Sequence, residues 1–241
     1  MAKAHTEWTI LPHGPIEKLS PRVWRVEGSL SGMPLKRVMT VVRCASGKLV
    51  VHNGIAVEPA AMAEIEAWGE VGWIVVPNGF HRLDAPAFAK RFPRAQVLCP
   101  PGARTKVEEV VSVSGTYADF PRDEAVRLNV LEGVGEQEGY VAVEDEDGVT
   151  LVMNDLVFNM PHVPGVQGFV LKHVTRSTGG PQLTRVSRFF LVKDAARVRT
   201  ELERLAAIPG LVRVIVSHHE AIETTRERGV ADVLRSVAAS L

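Results

Sequence analysis

The chain has 241 residues, 46% of them hydrophobic, with 28 Lys and Arg balanced by 28 Asp and Glu. That balance points away from a nucleic-acid surface and from strong attraction to anionic membrane, and the length suits one domain (1–241) with a sizeable core. Apolar runs are too short to span a bilayer and the first eight residues lack the apolar core of a secretory signal, so a cytoplasmic protein is expected. Residues 1–21, with Trp8, Ile10 and Leu11, are expected to form an N-terminal arm or extra strand, or an arm packed on a neighbouring subunit of a homo-oligomer. Short strands are expected over Val23–Val26, Arg37–Arg43 and Lys48–His52, the last two joined through Ala45-Ser46-Gly47. Pro59 opens a helix that ends at Trp68, ahead of Gly69. A strand over Gly72–Pro77, a helix over Asp84–Arg91 with Asp84 as N-cap, and a strand over Gln96–Cys99 follow. Pro100-Pro101-Gly102 breaks the chain before a helix around Ala103–Val110.

The second half opens with a meander of strands over Ala125–Leu131, Gly139–Glu144 and Val149–Met153, with a hairpin turn at Asp145-Glu146-Asp147-Gly148. Phe158–Pro181, rich in Gly, Pro and His, reads as a long loop with at most a helical turn. A helix over Asp194–Ile208, capped by Asp194 and stopped by Pro209-Gly210, precedes a strand over Val212–Val216 and a last helix over Glu223–Leu241. No internal repeat is present, and Cys44 and Cys99 read as reduced core thiols. Strands followed by helices, twice over, suggest two sheets between helical layers.

Three apolar runs end in residues that can bind metal. Trp73–Val76 leads into Pro77-Asn78-Gly79-Phe80-His81, Thr150–Met153 stops at Asn154-Asp155, and Leu211–Val216 stops at Ser217-His218-His219-Glu220. Side chains at strand ends can converge on one cleft from distant parts of a chain. Since neighbouring strand side chains face opposite ways, only one of His218 and His219 is expected to point into that cleft.

This order of elements and strand-end motifs resembles the metallo-β-lactamase superfamily, most nearly a bacterial branch with no assigned substrate. The resemblance covers Val23 to the C-terminal helix and implies an α/β fold: an αββα sandwich of two mixed sheets flanked by helices. The family's H-x-H-x-D-H motif falls on Val76 to His81 and is degenerate, with Val76, Asn78 and Phe80 in place of two histidines and the aspartate. Leu151 to Phe158 matches the strand that carries the bridging aspartate, here Asp155 after Asn154, and His218 matches the last histidine. The remaining family histidine belongs before Gly139, where Glu132 to Glu138 offers none. The resemblance therefore implies at most one metal position, held by His81, Asp155 and His218, that takes a divalent ion (zinc, or iron or manganese) or none. Asp155 would also orient a metal-bound water, and Asn78 would donate to a substrate oxygen.

Two functions follow from this reading. One is a metal-dependent hydrolase of a small ester, amide, lactone or phosphoester; the other is a non-catalytic member that binds a small ligand or a partner. Plainer roles also fit single residues. His81 could line a helix start and Asp155 serve a turn, and Glu132, Glu136 and Glu138 read as solvated turn carboxylates ahead of substitute ligands. His162 and His173 read as solvent-exposed, His52 matches no ligand position, and Arg176, Arg185 and Arg188 read as surface charge.

Overall fold

The structure is a computed structural model describing residues 3–241 (side chains 34 and 167 apart). It is the expected αββα sandwich. The first sheet runs in chain order: β1 (Glu17–Ser20), β2 (Val23–Leu30), β3 (Met33–Arg43), β4 (Leu49–His52), β5 (Val71–Val75), β6 (Gln96–Cys99) and β7 (Gly115–Thr116). Its first four strands are antiparallel, while β4 to β7 are parallel. The second sheet is built from β8 (Val126–Val130), β9 (Gly139–Asp145), β10 (Gly148–Val152), β13 (Leu211–Ile215) and β14 (Ile222–Glu223), in the order β14-β13-β10-β9-β8. A separate ribbon pairs β11 (Phe158–Met160) with β12 (Gly180–Gln182).

Most strands read as continuous apolar runs because both faces of each sheet are covered. In β3, Val38 and Val42 face the second sheet, whereas Met39 and Val41 face the helices α1 (Pro59–Trp68), α2 (Ala85–Arg91) and α3 (Arg104–Glu108). In β10, Val152 joins the inter-sheet core while Leu151 packs under α6 (Ala195–Ala206) and α7 (Val230–Ala239). These two helices bury Val198, Leu202 and Leu205, and Val230, Leu234 and Val237, at the i, i+4, i+7 spacing of an inward stripe. Asp194 caps α6, its carboxylate accepting from the Arg197 N–H. Cys44 and Cys99 are free, buried thiols.

Several boundaries differ from the sequence reading. The first hairpin reaches Leu30 and Met33, because the polar positions Glu27 and Ser29 face away from the core within a continuing ladder. Residues 17–20 form an extra strand, and the segment before it packs on its own chain: Trp8 stacks near Phe88 and donates its indole N–H to the Val57 carbonyl. Asp84 stands before α2 without capping it; its carboxylate is taken by Arg37, by His5 and by the Ala56 N–H. The supposed loop contains α4 (Gly165–His173), and α5 (Arg185–Phe190) follows β12. The last helix starts at Val230, since Glu223 is consumed by pairing with Arg213 in β14.

Candidate metal centre

Parallel pairing aligns the carboxyl ends of β4 and β5 in one sheet, and of β10 and β13 in the other, at the same edge of the sandwich. The Val38 N–H donates to the Ser217 carbonyl and so joins the two sheets there. His81, Asp155 and His218 meet at this edge, with one ligand atom from each within 4.8 Å of the others. His81 Nε2 lies 3.0 Å and His218 Nε2 3.1 Å from the same atom, Asp155 Oδ1. Ligands held at about 2.0–2.2 Å in a tetrahedral sphere stand roughly 3.3–3.5 Å apart, so these separations are close to those of a shared ion.

The far side of each ring decides what the near side offers. His218 Nδ1 faces the Lys36 carbonyl at 2.7 Å, and His81 Nδ1 faces Asn53 Oδ1 at 3.2 Å. Asn53 cannot present its amide nitrogen to His81, because that nitrogen donates to the Val38 carbonyl at 2.8 Å. Both Nδ1 atoms therefore carry hydrogen, which leaves each Nε2 of a neutral imidazole with a bare lone pair aimed at Asp155. Two lone pairs and an anionic oxygen converge with no hydrogen between them. Such a trio holds together around a cation, or after both rings take up protons. With both rings protonated, burial still raises the Asp155 carboxyl, but the His81 charge and the hydrogen bonds from both imidazoles outweigh it and hold the group well below the usual carboxylate range.

Behind the trio lies a buried polar clamp. Glu138 has no exposed surface; its Oε1 accepts from Asn78 Nδ2 (2.6 Å), Asn154 Nδ2 (3.1 Å) and the Asp155 N–H (3.2 Å), and its Oε2 from the Leu156 N–H (3.1 Å). Burial and the charge of Asp155 push its carboxyl up to about 8, against the pull of its hydrogen-bond donors. Asn78 also donates to Asp155 Oδ2 at 2.9 Å, while its own Oδ1 accepts from the Phe80 and His81 N–H groups. Ser217 completes the clamp by donating to Asn154 Oδ1.

Two readings from the sequence change here. Asn78 is 1% exposed and both its amide hydrogens are committed, so it has none left for a substrate oxygen. Glu138 is no solvated turn residue: it is fully buried, and Gly139 beside it lies against the Asn129 carbonyl and the Tyr117 ring, where a Cβ would collide. Glu132 and Glu136 are exposed, as are His162 and His173. His218 faces the cleft, while His219 turns away in the left-handed region (φ 60°) and accepts the Lys36 N–H on Nε2. Burial, then the charges of His218 and Lys36, lower the His219 imidazole to about 4. His52 lies wholly inside the protein, where burial and then the charge of His81 lower it to about 3.

Sequence reasoning missed Asn53 and Lys36, since neither a β4-end asparagine nor a main-chain carbonyl on β3 belongs to any ligand motif. Phe80 is 54% exposed and stands in the wall of a cavity of about 520 Å³ over the trio. Leu30, Leu35, Leu83, Phe158, Met160 and Leu171 make most of that wall apolar. Phe158 stacks on His218 with ring centroids 4.7 Å apart.

Residues 24–110 match the model of a family described as a domain of unknown function, DUF4336. No curated protein matches the sequence. Among solved structures, the chain is similar to a metallo-β-lactamase from Erythrobacter litoralis with β-mercaptoethanol in its active site: 14% identity, TM-score 0.61, covering 94% of this chain and 96% of that one. It is also similar to the metallo-β-lactamase FIM-1 from Pseudomonas aeruginosa in the mono-zinc form, at 12% identity and TM-score 0.58 over 94% and 96% of the chains. A metallo-β-lactamase from Pontibacter korlensis gives 14% and 0.57 over 94% and 99%. At these identities the likeness carries the fold alone.

Proposed function

We propose that this protein is a mononuclear metal-dependent hydrolase acting on an ester, amide, lactone or phosphoester that carries an apolar group. The observation behind this reading is the pair of histidine lone pairs fixed on Asp155 Oδ1 by acceptors on their far sides. Two imidazoles and one carboxylate suit zinc best, and iron or manganese next. A divalent ion held there would leave a position for water, lower the pKa of that water and polarise the scissile oxygen.

The chain's own residues do the rest. Asn53 and the Lys36 carbonyl hold the rings in the tautomer that offers Nε2. Asn78 positions Asp155 by fixing Oδ2, which keeps Oδ1 turned to the histidines. Apolar walls around the site exclude water and seat the substrate's apolar part, which strengthens every charge interaction at the centre. One position is all that this donor set supports. Val76 and Asn78 take the place of the family's early histidines, and Glu138, saturated with donors, that of the middle one.

The non-catalytic alternative draws on the same saturation, which leaves no free carboxylate beside the trio to accept a proton. Zinc-loaded protein assayed on aryl esters and lactones of increasing chain length decides between them. The hydrolase reading expects chelator-sensitive turnover that rises with chain length and falls at least a hundredfold in Asp155→Asn. Saturable binding of the same compounds without turnover would leave a binding protein.

A further inference from the structure

The segment from Leu156 to Lys193 contains five Lys and Arg and no Asp or Glu, so the rest of this neutral chain carries a net charge of −5. All five cations (Lys172, Arg176, Arg185, Arg188 and Lys193) are exposed. Among the described residues none pairs with an Asp or Glu side chain; Arg185, Arg188 and Lys193 donate to main-chain oxygens at helix ends instead. The same segment exposes its apolar side chains. In α4 and its C-cap, Val166, Phe169, Val170 and Val174 fall at i, i+3, i+4 and i+8, a stripe that a surface helix ordinarily turns inward and that here faces solvent. Val166 is 83% exposed and Phe169 63%, and in α5 Phe189 is 79% exposed. Arg185 bridges the two helices by donating to the His173 and Val174 carbonyls at the end of α4.

From this pairing of outward Phe and Val with cations that face no acidic side chain among the described residues, we propose that the α4–α5 face docks on an anionic lipid surface. A helix pair with this composition places its apolar side chains at the headgroup boundary while its cations meet lipid phosphates. Charge singles out this occupant. A two-fold contact with a second copy would set the same patch against itself, bringing its cations together without a carboxylate from the segment. A lipid surface supplies both the apolar layer and the missing negative charge. The balanced total charge, which argues against membrane attraction when averaged over the chain, conceals this asymmetry.

The position of the face gives docking a consequence. Met33 on the first hairpin, Phe80, and Val186 and Phe190 on α5 are exposed and also line the cavity over the histidines. The cavity mouth thus opens beside α5, at the edge of this face, and a docked molecule would receive an amphiphile's tail directly from the lipid. Docking itself needs no metal, so it stands apart from the hydrolase reading.

Sedimentation of the full chain with vesicles tests the proposal, comparing phosphatidylcholine alone with phosphatidylcholine mixed with phosphatidylglycerol. The protein is expected to sediment with the mixed vesicles, to bind the neutral ones far less, and to be released by salt. Lys172→Gln/Arg176→Gln is expected to weaken binding to the mixed vesicles by roughly tenfold or more, and Phe169→Glu/Phe189→Glu to abolish it. Both pairs lie on the surface, and unchanged circular dichroism verifies folding. Absence of binding to the mixed vesicles overturns the proposal. So does a concentration-dependent dimer, seen by analytical ultracentrifugation, that Phe169→Glu/Phe189→Glu dissociates, since the face would then belong to a second copy. Equal binding to both vesicle types refutes the role of charge.

Discussion

The strand-end centre and the α4–α5 face lie on opposite sides of one cavity and are built on opposite principles. At the centre the polar groups are buried or half-buried and fixed from behind: Glu138 gathers four N–H donors, Asn78 spends both amide hydrogens, and each histidine is held on its far side. On the helical face the apolar side chains meet solvent and the cations have no acidic side chain opposite them among the described residues. The difference separates two demands on one site. Ligand geometry must be fixed before anything binds, so it rests on strand ends of two packed sheets. Contact with a partner or an amphiphile is completed only on binding, so it is left to short helices outside the core.

Mutations at the two regions should differ most in stability. Glu138→Leu strands two asparagine amides and two main-chain N–H groups in the interior, and should cost at least about 3 kcal/mol in urea unfolding. A loss below 1 kcal/mol would show that the clamp is not the frame of the centre.

A second contrast is pH. His52 is neutral when folded, with its pKa lowered to about 3, and takes up a proton near 6.5 when unfolded. Its contribution is therefore complete above about pH 6.5 and is lost as pH falls toward 3. In metal-free protein this amounts to about 2 kcal/mol between pH 6.5 and 5, and His52→Leu should flatten that part of the unfolding profile. An unchanged slope would mean that other groups set the acid limb.

The smallest effect belongs to the exposed face. Phe189→Ser should change stability by no more than about 0.5 kcal/mol, because that side chain has little packing to lose. A loss above 1 kcal/mol would place Phe189 in the folded core and remove the contrast.

The sandwich was legible because strands covered on both faces leave near-continuous apolar runs between turn residues, as in Leu49–Val51 and Ile74–Val76. Helix α4 was not, because Gly165, Gly168 and the neighbouring prolines lower helix propensity and its apolar stripe faces outward. For the site, strand-end position brought His81, Asp155 and His218 forward. Glu138 hid among Glu132 and Glu136, since each of the three has a glycine beside it and nothing local sets it apart. Asn53 and the Lys36 carbonyl act through tertiary contacts fifteen or more residues away, which no local pattern records.

The central claim is that His81, Asp155 and His218 hold one metal ion. Metal content by inductively coupled plasma mass spectrometry, on tag-free protein purified without chelator beside His81→Ala/His218→Ala, tests it directly. Close to one equivalent is expected in the wild type and none in the double variant. Wild-type protein that arrives without metal, and that zinc, iron and manganese all fail to load, would contradict it.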